Sequence, residues 1–297
     1  MDERAPELLE GAGDPHIHTS PSLVPNRKSD IWRLVDACER WRMAFGVVKW
    51  HHGDSVTAVE VVNSVHHGPF RLYGGLVLNE PVGGLNPYAV DVAVTLGAKI
   101  VWLPTLDADG HGRAIGQLGG FPFQQVRRTR LPETGIRIVD EGGELKAEMK
   151  DILSILSGSE TVLATGHITT EEIIRLEEFI RREGLDLHLL VNHIDFSVPN
   201  LTVKDVETLS AANVWFELAY FTVSALGHSS TEAIKHLVET NPTAQFVLAT
   251  DSGQQKNPIC PEAMLDFVSL LLDGGVSKAR LDLMLHRNTR ELLMIND

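Results

Sequence analysis

Short apolar runs rich in β-branched residues alternate with longer amphipathic stretches from near the start of the chain to its end. That alternation predicts βαβ units around a parallel sheet. Strands are expected at 13–18, 44–51, 71–79, 99–105, 161–167, 187–194, 213–220 and 245–251. Helix starts fall between them, as at Thr169 with Glu172, at Thr202, at Ser230 and at Pro261-Glu262, where a hydroxyl caps free amides or acids favour the helix dipole. Some strands are continuously apolar, as expected when helices cover one face and side chains fill the other. Eight such strands predict a closed (β/α)8 barrel, a TIM barrel of α/β class, in one domain spanning 1–297. The competing doubly wound sheet is disfavoured because no Gly-x-Gly-x-x-Gly turn follows the first strand.

One connection breaks the rhythm. Residues 106–142, after the fourth strand, hold Gly110, Gly112, Gly116, Gly119 and Gly120 with His111, Arg113 and several aromatics. Loops of this length are uncommon unless they work, so a lid over a substrate is predicted here.

Composition narrows the partners. With 26 basic and 40 acidic residues the formal charge is -14, which repels phosphate backbones and anionic lipid and argues against nucleic acid and membrane partners. The basic run Arg127-Arg128-Thr129-Arg130 reads as a solvated loop. Two cysteines, Cys38 and Cys260, make no disulfide framework and suit a reducing compartment. The first residues are charged, and no apolar run reaches the ~18 residues of a membrane span, so a cytoplasmic location is expected. Barrels often form homo-oligomers, but no feature here fixes one.

In barrels of this type reacting groups gather at the carboxyl ends of the strands. Those ends carry His16 and His18 on strand one, Lys49 and His51 on two, Asn79 and Glu80 on three, His167 on five, His193 on six and Asp251 on eight. A period of two puts His16 and His18 on one side of their strand, where both can reach one cation. Imidazoles with one carboxylate suit Zn2+, with Mn2+ or Fe2+ as alternatives. Lys49 follows Phe-Gly-Val-Val in a strand, where an unpaired ammonium is costly, so it is expected to bind substrate or pair within the site. His51 shares its face. His111 and Arg113 in the long loop, Glu217 in strand seven and His228 in Gly227-His-Ser-Ser230 are further candidates for meeting substrate, whereas His66, His67, His188, His236 and His286 are read as structural.

These residues resemble the amidohydrolase superfamily, whose members carry His-x-His on strand one, His on strands five and six, and Asp on strand eight. The stretch from Ala279 to Leu293 is similar to that superfamily's closing helices. The resemblance implies His16, His18, His167 and Asp251 as metal ligands, and His193 as a ligand or a group that polarises the substrate. The chain departs from the pattern at strand four, where Trp102-Leu-Pro-Thr105 offers no bridging acid or lysine. One divalent ion is therefore favoured over two, unless Glu80 or a carboxylated Lys49 supplies a bridge.

The expected function is hydrolysis of an amide, cyclic amide, ester or lactone in a small substrate, and Lys49 with a lid arginine would suit an anionic one. The metal acidifies water, Asp251 takes its proton and His193 stabilises the developing oxyanion. A decarboxylase on the same barrel is the principal alternative. A phosphoesterase ranks lower, because the chain has Asp251-Ser-Gly253 where that family often has Asp-x-His. A metal-binding barrel without turnover is the non-enzymatic alternative.

Overall fold

The structure, a computed structural model, describes residues 5–24, 27–122, 128–210, 213–224, 227 and 229–295. Nine strand segments run in chain order: β1 (Gly13–Ile17), β2 (Phe45–Val48), β3 (Arg71–Tyr73), β4 (Gly75–Val77), β5 (Ile100–Trp102), β6 (Val162–Ala164), β7 (Leu189–Val191), β8 (Val214–Ala219) and β9 (Gln245–Ala249). Each pairing between neighbours is parallel, in the orders β1-β2-β3 and β4 through β9. β3 and β4 are halves of one predicted strand, interrupted at Gly74, whose carbonyl still accepts from Lys99 N at 2.8 Å. At the other seam Asp251 N donates to His16 O at 2.9 Å and His18 N donates to Ser252 O at 2.8 Å, joining the end of β9 to β1. The result is an α/β barrel with eight strand positions. Its regular strands are shorter than the apolar runs that predict them, because the chain ends bend into loops as the ring opens.

Alternation along the strands sorts two cores. Phe45, Val47, Val77, Trp102, Leu190, Trp215 and Val247 fill the barrel interior, closed from below by Leu292 and Leu293 of the helix Asn288–Leu293. Their neighbours in sequence, among them Leu76, Val101, Leu189, Phe216 and Leu248, face outward into a larger core shared with the surrounding helices. Each fully buried side chain of this size contributes about 1.5–3 kcal/mol, so the packed interior forms a floor and side chains above it are held against something rigid.

The predicted helix starts show the expected chemistry. Thr169 and Thr202 cap their helices with reciprocal bonds to Glu172 and Asp205, and the Ser230 side chain accepts from Ala233 N. Within 106–142 a short helix, Asp109–Ile115, forms, and Ala108 bridges to Ile136, so the described part of this connection folds back on itself. Arg128 is tied by its Nη1 to Asp107 Oδ1 at 2.6 Å, with Asp107 fully buried. That contact corrects the expectation of a solvated basic loop at Arg128, while Thr129 and Arg130 are exposed as expected and Arg127 lies outside the described residues. No described helix is long and apolar enough to cross a membrane.

Candidate metal centre

Period two along the strands also decides what stands above the floor. Val47 and Trp215 point into the interior, so Lys49 and Glu217, two positions further on, point the same way. Both are buried. His16, His18, Lys49, His51, His167, His193 and Asp251 line one cavity at the carboxyl ends of the strands.

Hydrogen bonds fix the tautomers of the first two imidazoles. His16 Nδ1 lies 2.9 Å from Glu217 Oε1, and His18 Nδ1 lies 2.8 Å from the carbonyl of Lys49. A carboxylate and a carbonyl only accept, so each Nδ1 carries the proton and each Nε2 presents a lone pair. Burial keeps both rings neutral, pushing His16 down to about 3 and His18 well below the usual imidazole range. Asp251 Oδ1 stands 3.4 Å from His16 Nε2 and 3.0 Å from His18 Nε2. Three acceptor atoms thus converge within 4.8 Å of one another, with no proton offered to them except by the Lys49 ammonium beside His16 Nε2. Such an arrangement repels itself unless a cation sits among the lone pairs, and imidazole with carboxylate suits a divalent metal. Lys49 Nζ approaches from one side, 3.2 Å from His16 Nε2, and burial lowers its ammonium to about 8.

A similar device orients His167. His111 Nε2 donates to Gly120 O at 2.9 Å, which leaves His111 Nδ1 to accept from His167 Nδ1, also at 2.9 Å. The Nε2 of His167 is then free of a proton. His193 is held by its backbone, whose N–H donates to Glu217 Oε1 at 3.2 Å, while its side-chain Nδ1 is buried with no hydrogen-bond partner among the described residues. An orphaned buried nitrogen beside three converging acceptors fits a metal centre better than a packed core. His193 and Asp251 also take positive φ, at 27° and 47°, which non-glycine residues adopt at a cost typical of functional sites.

The predicted residues separate in position. His16, His18 and Asp251 form the tight cluster; His167 and His193 face the same cavity from β6 and β7, with the His193 ring centroid 6.2 Å from that of His16. His51 stacks on His18 at 4.7 Å and its Nδ1 lies 3.0 Å from Thr105 Oγ1. His111 stands behind His167 rather than in the cavity. Glu217 is also one layer back, accepting from His16, His193 and Asn192, so it holds those groups in place and does not line the cavity. Glu80 is exposed at the rim of another depression and offers no bridge to a metal. Arg113 projects outward and pairs with Asp109 at 2.9 Å, one helical turn away, and does not line the cavity. His228 lies outside the described residues.

Several residues of the site carry no sequence signal of their own. Arg27, Phe121, Phe196 and Phe221 line the cavity from loops or short turns. Asp14 does have a signal, since it shares the parity of His16 and His18. Its Oδ1 accepts from His16 N and Thr250 N, and its Oδ2 accepts from Thr250 Oγ1 at 2.6 Å and from Cys260 Sγ at 3.1 Å. Burial raises its carboxyl to about 7. It fastens the seam between β1 and β9 directly below the cluster.

Comparison with known proteins places this geometry. A family model described as a family of unknown function, DUF6282, matches residues 11–217. No curated protein matches the chain. Among solved structures, an amidohydrolase from Pseudomonas aeruginosa superposes with a TM-score of 0.63 at 13% identity, covering 97% of this chain and 98% of its own. A probable dipeptidase, PvdM, from the same organism gives 0.67 at 10% identity, over 98% and 97%. A 2,6-dihydroxybenzoate decarboxylase from Rhizobium gives 0.56 at 10% identity, over 97% and 100%. At these identities the likeness is one of fold.

Proposed function

Because the chain belongs to DUF6282, a family of unknown function, its chemistry has to be read from the site, and we propose a metal-dependent hydrolase of the amidohydrolase type. The substrate is a small molecule with an amide, cyclic amide, ester or lactone bond. The observation that carries this reading is the convergence of three acceptors, His16 Nε2, His18 Nε2 and Asp251 Oδ1. Those three residues would hold the ion, with His167 and His193 beside it; Zn2+ is the first choice, Mn2+ and Fe2+ the alternatives. One ion is favoured, since Asp251 is the only carboxylate lining the cavity among the described residues.

A divalent cation in such a donor set would supply Lewis acidity and lower the pKa of water to about 7, as in favourable zinc sites. The protein's own groups do the rest. Asp251 accepts the proton of the attacking water and returns it to the leaving nitrogen or oxygen. His193, neutral because burial pushes it down to about 4, donates a hydrogen bond to the carbonyl oxygen as negative charge gathers there. The phenyl rings of Phe196 and Phe221 keep bulk water away from one wall. The fold likeness to an amidohydrolase and a probable dipeptidase supports hydrolysis, and the likeness to a decarboxylase makes loss of carbon dioxide the alternative reaction on the same donors.

Elemental analysis of the purified protein, with a panel of amides, lactams, lactones and acids scored for both hydrolysis and carbon dioxide release, tests the proposal. Stoichiometric metal and hydrolysis lost in Asp251→Asn are expected. Full activity in metal-free protein would sink the reading, and carbon dioxide release without hydrolysis would replace the reaction.

A further inference from the structure

The reaction above leaves two charged groups of the cavity, Lys49 and Arg27, without a task, and Arg27 is the one that reaches in from a loop. Arg27 comes from the loop after β1, is 8% exposed and lines the cavity with the metal cluster. Its Nε donates to Ser22 Oγ at 3.1 Å, and Asp251, which lines the same cavity, attracts it from beyond direct ion-pair distance. Withdrawing a guanidinium from water costs several kcal/mol unless an anion and hydrogen bonds compensate, so a buried Arg with open donors marks a place for an anion.

The charge around the cavity points the same way. Two cationic side chains, Arg27 and Lys49, line the cavity with one carboxylate, Asp251. With a divalent cation added, that lining is complemented by an anionic substrate. Beyond the charges lies an apolar wall: Phe196 and Phe221 are buried, meet edge to face at 5.6 Å and pack with Phe121 of the long connection. A flat apolar body fits against such edges.

We propose, resting on the metal-dependent reading above, that the substrate is a small carboxylic acid whose carboxylate docks on Arg27 while an apolar or aromatic body lies against Phe196 and Phe221. A carboxylate matches the guanidinium fork with two parallel hydrogen bonds. Arg27 therefore sets specificity from a loop, while the donors on the strands perform the chemistry.

Benzoate, benzamide and phenylphosphonate are suitable probes, because they share a ring and differ in the head group. Binding to full-length metal-loaded protein by calorimetry is expected to favour benzoate over benzamide at least about tenfold, since hydrogen bonds to charged groups contribute ~1.5–3 kcal/mol. Arg27→Met should weaken benzoate about 10–100-fold, on the same basis, and leave benzamide and metal content unchanged. Arg27→Lys, which keeps the charge without the fork, should fall between. Equal binding of benzoate and benzamide by wild type, undiminished benzoate binding by Arg27→Met, or tighter binding of phenylphosphonate than benzoate would each overturn the proposal. Its failure is distinct from failure of the metal reading: the first appears as metal-loaded protein indifferent to Arg27, the second as Arg27-dependent binding by protein that takes up no metal.

Discussion

Glu217 Oε1 and His16 Nδ1 stand 2.9 Å apart beneath the cluster, both side chains buried, so the acid holds the proton that makes the opposite nitrogen a donor to a cation. Carboxylates in this position both orient a liganding imidazole and raise its basicity. Glu217→Gln should weaken metal binding about 10–100-fold, the range for such outer partners. Competition of the folded variant against a chromogenic chelator measures it. Unchanged affinity would show that Glu217 serves packing alone.

Acid should destabilise the metal-free protein. His16 and His193 are held near 3 and 4, and His18, His51 and His167 well below 6.5, all chiefly by burial. In the unfolded chain each binds a proton near pH 6.5. The unfolded state therefore binds more protons between about pH 6.5 and the folded values, and stability is lost as pH falls through that window. Melting temperatures of chelated protein at pH 7, 6 and 5 should drop stepwise. A flat profile from pH 7 to 5 contradicts the neutral cluster.

Lys49 and a metal compete for one lone pair, because the ammonium lies 3.2 Å from His16 Nε2. Removing that like charge in Lys49→Met should tighten Zn2+ binding at neutral pH while turnover falls. Loss of metal in the variant, with the added mass of one carbon dioxide on the native wild-type chain, would instead reveal a carboxylated Lys49 acting as a ligand.

Gly253 has no room for a side chain. A Cβ there would meet His18 O at 2.3 Å, and its φ of 135° is one that L residues rarely adopt. Gly253→Ala should destabilise the fold by at least about 1–3 kcal/mol and displace His18, lowering both the melting temperature and the metal content. A variant with wild-type melting and full metal would show that the seam yields easily.

The barrel was legible because its signal repeats. Alternating strand and helix patterns, and a period of two that sets His16 beside His18, survive errors of several residues at any boundary. Loop residues lack such a period. His111 and Arg113 sit on one short helix two positions apart, and the turn between them sends His111 inward to His167 and Arg113 out to Asp109. The guanidinium that lines the cavity is that of Arg27 and not of Arg113, and the Arg27 segment shows no pattern that would single it out. Glu217 was visible as an acid in an apolar strand, but its depth depends on Trp215 lying in the barrel floor, a fact of packing. Asp14 was readable by parity and hidden by its place before Pro15.

The seam joining β9 to β1 has a bearing on when the protein becomes competent. His16 and His18 leave the ribosome well before Asp251 and the backbone groups that lock it to His16. A nascent chain short of that point holds two imidazoles and lacks the carboxylate that completes the donor set. Under the proposed reading, metal capture therefore waits on the closing of β9 against β1.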